Sequence, residues 1–152
     1  MLCVTFDSTL RWQEHINSLC NKLKNCFSLK FLKNHLSSDV LRSVYYANIH
    51  AHIRYGILNW GLSSFASRVF LIQKYAVRIL AGLSPRELCR ASFKSLKILT
   101  LSGIYILEAC VYVFKNKNSF ESYRSSHDYN TRHKLAYSKQ TSMNFLPKKC
   151  IL

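Results

Sequence analysis

Ser37-Ser38-Asp39-Val40-Leu41-Arg42-Ser43-Val44-Tyr45-Tyr46-Ala47-Asn48-Ile49-His50-Ala51-His52-Ile53-Arg54-Tyr55 is the stretch on which the fold turns. It opens with two serines and an aspartate, a cap followed by an acid where the positive end of the helix dipole favours one. The apolar residues that follow recur at helical spacing on two faces. Val40, Val44, Ala47, Ala51 and Tyr55 make one, and Tyr46, Ile49 and Ile53 the other. A helix that is apolar on both sides needs neighbours on both flanks. The pattern therefore predicts a central helix over 38–55.

To the N-terminal side, Trp12, Ile16, Leu19, Cys20, Leu23, Cys26 and Phe27 form one stripe and predict a helix over about 12–31, with Ser8 or Thr9 near its start. Lys30 falls inside that stripe on an ideal wheel and is expected to snorkel at the helix end. To the C-terminal side, Gly56 and Gly61 bracket Ile57–Trp60 and mark a turn. Val69, Ile72, Ala76, Ile79 and Leu80 predict a helix over about 67–80 that stops at Gly82, with Lys74 and Arg78 four apart on its outer face. Ser84-Pro85-Arg86-Glu87 reads as the start of a short helix over about 85–96. A last helix over about 102–115 is apolar nearly all round apart from Glu108.

Residues 2–6 read as a short apolar strand, ended by Asp7-Ser8-Thr9, with no second strand in the sequence to pair with it. After residue 115 the chain turns polar and loses its periodicity. The expected fold is mainly α: an irregular bundle of about five helices with one short N-terminal β-strand over 1–115, then a basic, loosely ordered tail over 116–152.

Composition narrows the function classes. The 152 residues carry 22 Lys and Arg against 7 Asp and Glu, a net charge of +15, with 49% hydrophobic residues. That is a foldable chain with a bias toward a polyanionic partner. The excess is spread along the sequence: +3 over 1–36, +4 over 37–83, +3 over 84–115 and +5 over 116–152. Such a spread suits a globular body lying along a phosphate backbone better than a single sticky tail. The longest apolar run, Ile104–Phe114, has 11 residues and contains Glu108, too short to cross a bilayer. Six cysteines without a C-x-x-C pair, and no signal peptide, point to an intracellular setting, with nucleus and cytoplasm left open. Cys20 and Cys110 lie in apolar helical patterns and are expected to be buried free thiols.

No residues for catalysis, metal or cofactor are assigned. Two-metal phosphoryl chemistry needs clustered carboxylates, whereas the nearest acids, Asp7 with Glu14 and Glu121 with Asp128, are seven positions apart. His50 and His52 point about 200° away from each other on a helix, which forbids a shared metal. His127, His133 and Cys150 fit no standard zinc spacing, and His15 and Cys20, five apart, fall on different helix faces.

Three ordered blocks then carry a resemblance. Leu2-Cys3-Val4, Asp7, Leu10, Trp12 and His15-Ile16 form the first. Tyr55-Gly56-Ile57-Leu58-Asn59-Trp60-Gly61 is the second. Arg68 to Leu83, continuing through Cys89-Arg90 and Phe93-Lys94 to Ile98-Leu99-Thr100-Leu101, is the third. Over roughly residues 2–134 the chain resembles the region just after the catalytic palm in reverse transcriptases (RNA-directed DNA polymerases) of non-LTR, LINE-like retrotransposons. Tyr129-Asn130-Thr131-Arg132-His133-Lys134 resembles a further stretch of the same proteins.

The resemblance implies a thumb and post-thumb part with no enzyme activity of its own, since the palm's paired aspartates have no counterpart here. It departs from the family pattern at Cys3, where Gly is usual, and at Ser102-Gly103, where Pro-Ser is usual. Met1 falls within the first block, as expected of a truncated copy. A thumb presents cations to the backbone of RNA or DNA without reading bases. Lys22, Lys24, Lys30, Lys33, Lys74, Arg78, Arg86, Arg90, Arg132 and Lys134 are the candidates for that role. Two other expectations are a helical interaction module that pairs with a separate palm-containing chain, and a pseudogene product without function.

Overall fold

Helices account for most of the residues that the structure, a computed structural model, describes: 4–6, 10–24 and 28–117. In chain order they are α1 (Gln13–Leu23), α2 (Ser28–Leu32), α3 (Ser38–Tyr45), a π-helical turn (Tyr46–His50), α4 (Ala51–Arg54), α5 (Ile57–Trp60), α6 (Ala66–Ala81), α7 (Arg90–Ser95) and α8 (Leu101–Lys115). The mainly α expectation holds. The predicted strand does not: Val4, Thr5 and Phe6 form none, since no described segment offers them a ladder, and Leu2 and Cys3 lie outside the described residues. So do Asp7, Ser8, Thr9, Cys26, Phe27 and the tail from residue 118, with Tyr129, His127, His133 and Cys150.

The chain divides into two compact units, Met1–Cys110 and Val111–Leu152. Of the second, the described part is the end of α8 and Asn116-Lys117. There the Asn116 backbone N–H and its side-chain Nδ2 both donate to the Tyr112 carbonyl. The core belongs to the first unit.

Within that unit α6 is the central element, packing against α1, α2, α3 and α7. It buries Ala66, Val69, Gln73, Ala76, Val77 and Ile79, and half-buries Ile72 and Leu80. Gly82 ends it in the left-handed conformation (φ 75°), donating to the Ile79 carbonyl while Leu83 N–H reaches back to Arg78. Only glycine takes that conformation without strain, so the stop read from the sequence is a true helix terminus.

The predicted rod over 38–55 forms, but its faces differ from the prediction. Leu41, Tyr45, Ile49, Ile53 and Ile57 are buried, whereas Val40, Ala47, Ala51 and Tyr55 are exposed. The buried set repeats every four residues. On an α-helix that spacing drifts by about 40° per step, which would carry the stripe off the core. The π-helical turn at Tyr46–His50 widens the coil and resets it. Gly56 (φ 63°) then turns the chain into α5, which buries Trp60, its Nε1 donating to the Tyr55 carbonyl.

Two other expectations are refined. Of the residues expected as one helix over 12–31, the described parts are α1, to Leu23, and α2, over Ser28–Leu32, where Leu29 is buried and Lys30 is exposed. The helix expected over 85–96 covers only Arg90–Ser95. Ser84 and Glu87 do bond reciprocally, Ser84 N–H to Glu87 Oε2 at 3.1 Å and Glu87 N–H to the Ser84 carbonyl at 3.1 Å. The turn does not continue into a helix, and the Glu87 carbonyl accepts from Arg78 Nε at 2.9 Å. α8 matches its prediction closely, yet Leu101 and Ile104 are its buried residues, while Ile106, Leu107 and Cys110 are exposed. Cys20 is buried as expected. α8 approaches through Gly61, where an added Cβ would stand 2.9 Å from the Tyr105 ring and 2.6 Å from the Ile57 carbonyl.

Polar groups inside the core are few and specific. Gln73 is fully buried; its Nε2 donates to Tyr45 Oη at 3.0 Å and to the Leu99 carbonyl at 2.9 Å. Burial pushes the Tyr45 hydroxyl up to about 12. His15 accepts from Thr5 N–H at Nδ1 (3.3 Å), which puts the neutral ring's proton on Nε2, a buried atom without a partner among the described residues. Burial, with Lys22 adding to it, lowers the His15 pKa below 6.5. Burial and then Arg54 lower that of His50, against an opposing pull from Glu108.

Gln73→Leu should cost about 2 kcal/mol in urea unfolding, because it strands the Leu99 carbonyl and the Tyr45 hydroxyl. Tyr45→Phe should cost about 1 kcal/mol, and the double variant less than the sum, since the two share one bond. Stability should also fall with pH. A histidine with a lowered folded pKa binds its proton more readily in the unfolded chain, so stability is full above about 6.5 and declines as pH drops from there toward the folded value. Thermal unfolding between pH 7.5 and 5 should show that slope, and His15→Asn with His50→Gln should flatten it.

Candidate nucleic-acid interface

Lys74 and Arg78 stand one turn apart on α6, and both are held. Lys74 Nζ lies 4.4 Å above the Phe70 ring, and Phe70 leans on Phe93 of α7 with centroids 6.2 Å apart. A ring face offers no lone pair, so the ammonium donors remain for water or a ligand. Arg78 spends Nε on the Glu87 carbonyl, which fixes its stem and leaves the two Nη groups outside that bond.

Neighbouring segments bring further cations to α6 or to elements packed on it. The residue after α2, Lys33, places its Nζ 2.8 Å from where a Cβ on Gly82 would stand. Its charge thus sits over the C-terminus of α6, where the helix dipole is negative. Arg86 is exposed on the Ser84–Glu87 turn, and Arg90 is exposed at the start of α7, which packs on α6. Lys30 is exposed on α2, which also packs on α6. The two ion pairs found among the described residues are Arg42–Asp39 at 3.6 Å and Arg54–Glu108 at 2.5 Å. Neither uses Lys33, Lys74, Arg78, Arg86 or Arg90.

Lys22 and Lys24 are not in this group. They are exposed on α1 near the other half of α6, where Arg68 Nη1 donates to Asn17 Oδ1 at 2.5 Å. Lys24 Nζ donates to Asn21 Oδ1 at 3.0 Å. These charges reach inward: burial pushes the Cys20 thiol up, with Arg68 and Lys24 pulling the other way, so the thiol stays protonated and unreactive. Arg132 and Lys134 lie outside the described residues.

Two cations escaped the sequence reading. Lys94 is exposed on α7, four positions after Arg90 and hence on the same face, a signal that the spacing already carries. Arg68 meets Asn17 across 51 positions, which no local pattern announces. The histidines stand apart from each other: His52 Nδ1–H donates to the Asn48 carbonyl at 2.6 Å, while His50 packs edge-on against Tyr46 at 5.0 Å. Among the described residues no three His, Cys, Asp or Glu side chains come together as a metal site, and no helix is long and apolar enough to cross a membrane. Compared with protein-family models, with curated proteins and with solved structures, the chain matches none.

Proposed function

We propose that this chain is the non-catalytic, thumb-like part of a non-LTR retrotransposon reverse transcriptase, and that it holds RNA or DNA by the backbone without reading sequence. The observation that carries the binding is that Lys33, Lys74, Arg78, Arg86 and Arg90, on α6 and on the segments beside it, take part in neither ion pair, within a chain of net charge +15. The family assignment draws on the three ordered sequence blocks.

Rigid helices carrying side chains of fixed stem suit a duplex of defined shape. Each neutralised phosphate releases a counterion, so affinity comes mostly from salt-sensitive electrostatics. Arginines at 78, 86 and 90 can bond a phosphate through two donors, and the lysines act as point charges.

A second reading has its own observation. Ile106 and Leu107 are 59% and 47% exposed on α8, which suits a helical interaction module that pairs with a separate palm-containing chain.

Lys74→Ala with Arg86→Ala and Arg90→Ala should weaken binding to all RNA and DNA sequences alike by tenfold or more, each replaced cation leaving on the order of one phosphate unneutralised. The slope of log affinity against log salt on duplex DNA should flatten by up to about 0.9 for each such phosphate. Fluorescence anisotropy at several salt concentrations measures both. Salt-independent binding, or none at low salt, would favour the interaction module. The purified chain should extend no primer on an RNA template with magnesium and deoxynucleotides, and template-dependent extension would refute the non-catalytic assignment.

A further inference from the structure

Two residues that carry a Cβ adopt left-handed backbone on either side of Arg11: Leu10 at φ 51° and Trp12 at φ 64°. Such a pair is unfavourable and persists where surrounding contacts dictate it. Here it turns the Trp12 indole against Phe6, with centroids 5.3 Å apart, and edge-on to His15 at 6.3 Å. The indole is half-buried, while Leu10 and Arg11 are exposed. With Asn59, Leu62, Ser63 and Ser64, from α5 and the turn that follows it, they line a pocket of about 300 Å³ that is open to solvent. Ser63 Oγ is closed off from solvent and has no hydrogen-bond partner among the described residues.

The lining sets the ligand's chemistry. An indole and two leucines favour a flat apolar body, an amide and a hydroxyl favour a hydrogen-bonding edge, and a guanidinium favours an anion. Among the described residues the lining contains no carboxylate. The volume lies at the lower end of the ~300–1,000 Å³ range of small-ligand pockets.

We infer that this pocket takes one unpaired nucleobase of a bound strand. The base stacks on Trp12, its edge meets the Asn59 amide and the Ser63 hydroxyl after a turn about χ1, and Arg11 holds the adjoining phosphate. This rests on the nucleic-acid reading above and adds to it a preference for strands that carry accessible bases.

The test uses the full chain and three probes of about ten nucleotides each: oligoadenylate, oligouridylate and an abasic strand of equal charge. Binding is followed by anisotropy and by tryptophan emission. Trp60 is fully buried with its Nε1 bonded to Tyr55, so a ligand-dependent change in emission reports Trp12. Base-bearing strands should bind about tenfold tighter than the abasic strand, the effect of one stacked base, and should quench emission where the abasic strand does not. Asn59→Ala and Ser63→Ala should shrink that ratio several-fold with unchanged circular dichroism. Trp12→Leu should abolish it. Arg86→Ala with Arg90→Ala should weaken all three probes and leave the ratio as it was. Equal binding of base-bearing and abasic strands, without quenching, overturns the pocket assignment and leaves the backbone reading intact. No binding of any strand at low salt overturns both.

Discussion

Gln73 donates inside the core to the Tyr45 hydroxyl and to the Leu99 carbonyl, and so ties α6 to α3 and to the segment that leads into α8. The apolar residues beside it on α6, Val69, Ala76 and Val77, are all buried and could pack comparably after a small slip of the helix. A directional bond to two fixed acceptors does not tolerate a slip. The amide's own Oε1 stays buried without a partner among the described residues, so part of the desolvation cost is not recovered. Gln73 therefore contributes more to a unique register than to net stability. The cations of α6 depend on that register for their positions.

The π-helical turn adds a second grip on the same segment. Adjacent tyrosines at its start point at different targets, as neighbours on a helix do. Tyr45 goes inward to Gln73 and through it to Leu99, while Tyr46 Oη donates to the Lys97 carbonyl at 2.9 Å. Lys97 is itself left-handed (φ 55°), a conformation costing of order 1–2 kcal/mol for a residue with a Cβ. The bond from Tyr46 helps to hold it there. Strain at the entry to α8 is thus offset by contacts from an element 51 positions earlier.

These features mark where sequence reading stops. The helices over 38–55, 67–80 and 102–115 were legible because apolar spacing, Ser-Ser-Asp and Gly82 all report local preferences. Which face of 38–55 turns inward was not. A wheel drawn at 3.6 residues per turn spreads Leu41, Tyr45, Ile49 and Ile53 over an arc of about 120°, and the π-turn narrows it. The truncated start of α7 was hidden for a different reason. Ser84 and Glu87 carry the right local signal, and the bond from Arg78 to the Glu87 carbonyl comes from another helix, which no local pattern announces. Lys74 and Arg78 could be placed on an outer face from spacing alone. The approach of Lys33 to Gly82 required knowing that α2 packs on α6.

The same packing separates charges by use. Lys33 lies over a helix C-terminus and Arg54 pairs with Glu108, so each is partly spent on the fold. Arg86 and Arg90 are exposed on short segments that follow α6, and at a net charge of +15 the cations of the chain repel one another through solvent. Repulsion of this kind is a standing cost that screening by salt relieves and a polyanion relieves more fully. A phosphate backbone laid along α6 would replace mutual repulsion with attraction at several sites at once. Binding of that kind should stabilise the fold as well as occupy it, because a ligand that favours the native state raises its stability by mass action. Heating the chain at low salt with and without duplex RNA separates this from mere surface adhesion. A ligand that relieves the repulsion raises the melting temperature in proportion to occupancy, and the rise shrinks when Arg86 and Arg90 are replaced by alanine.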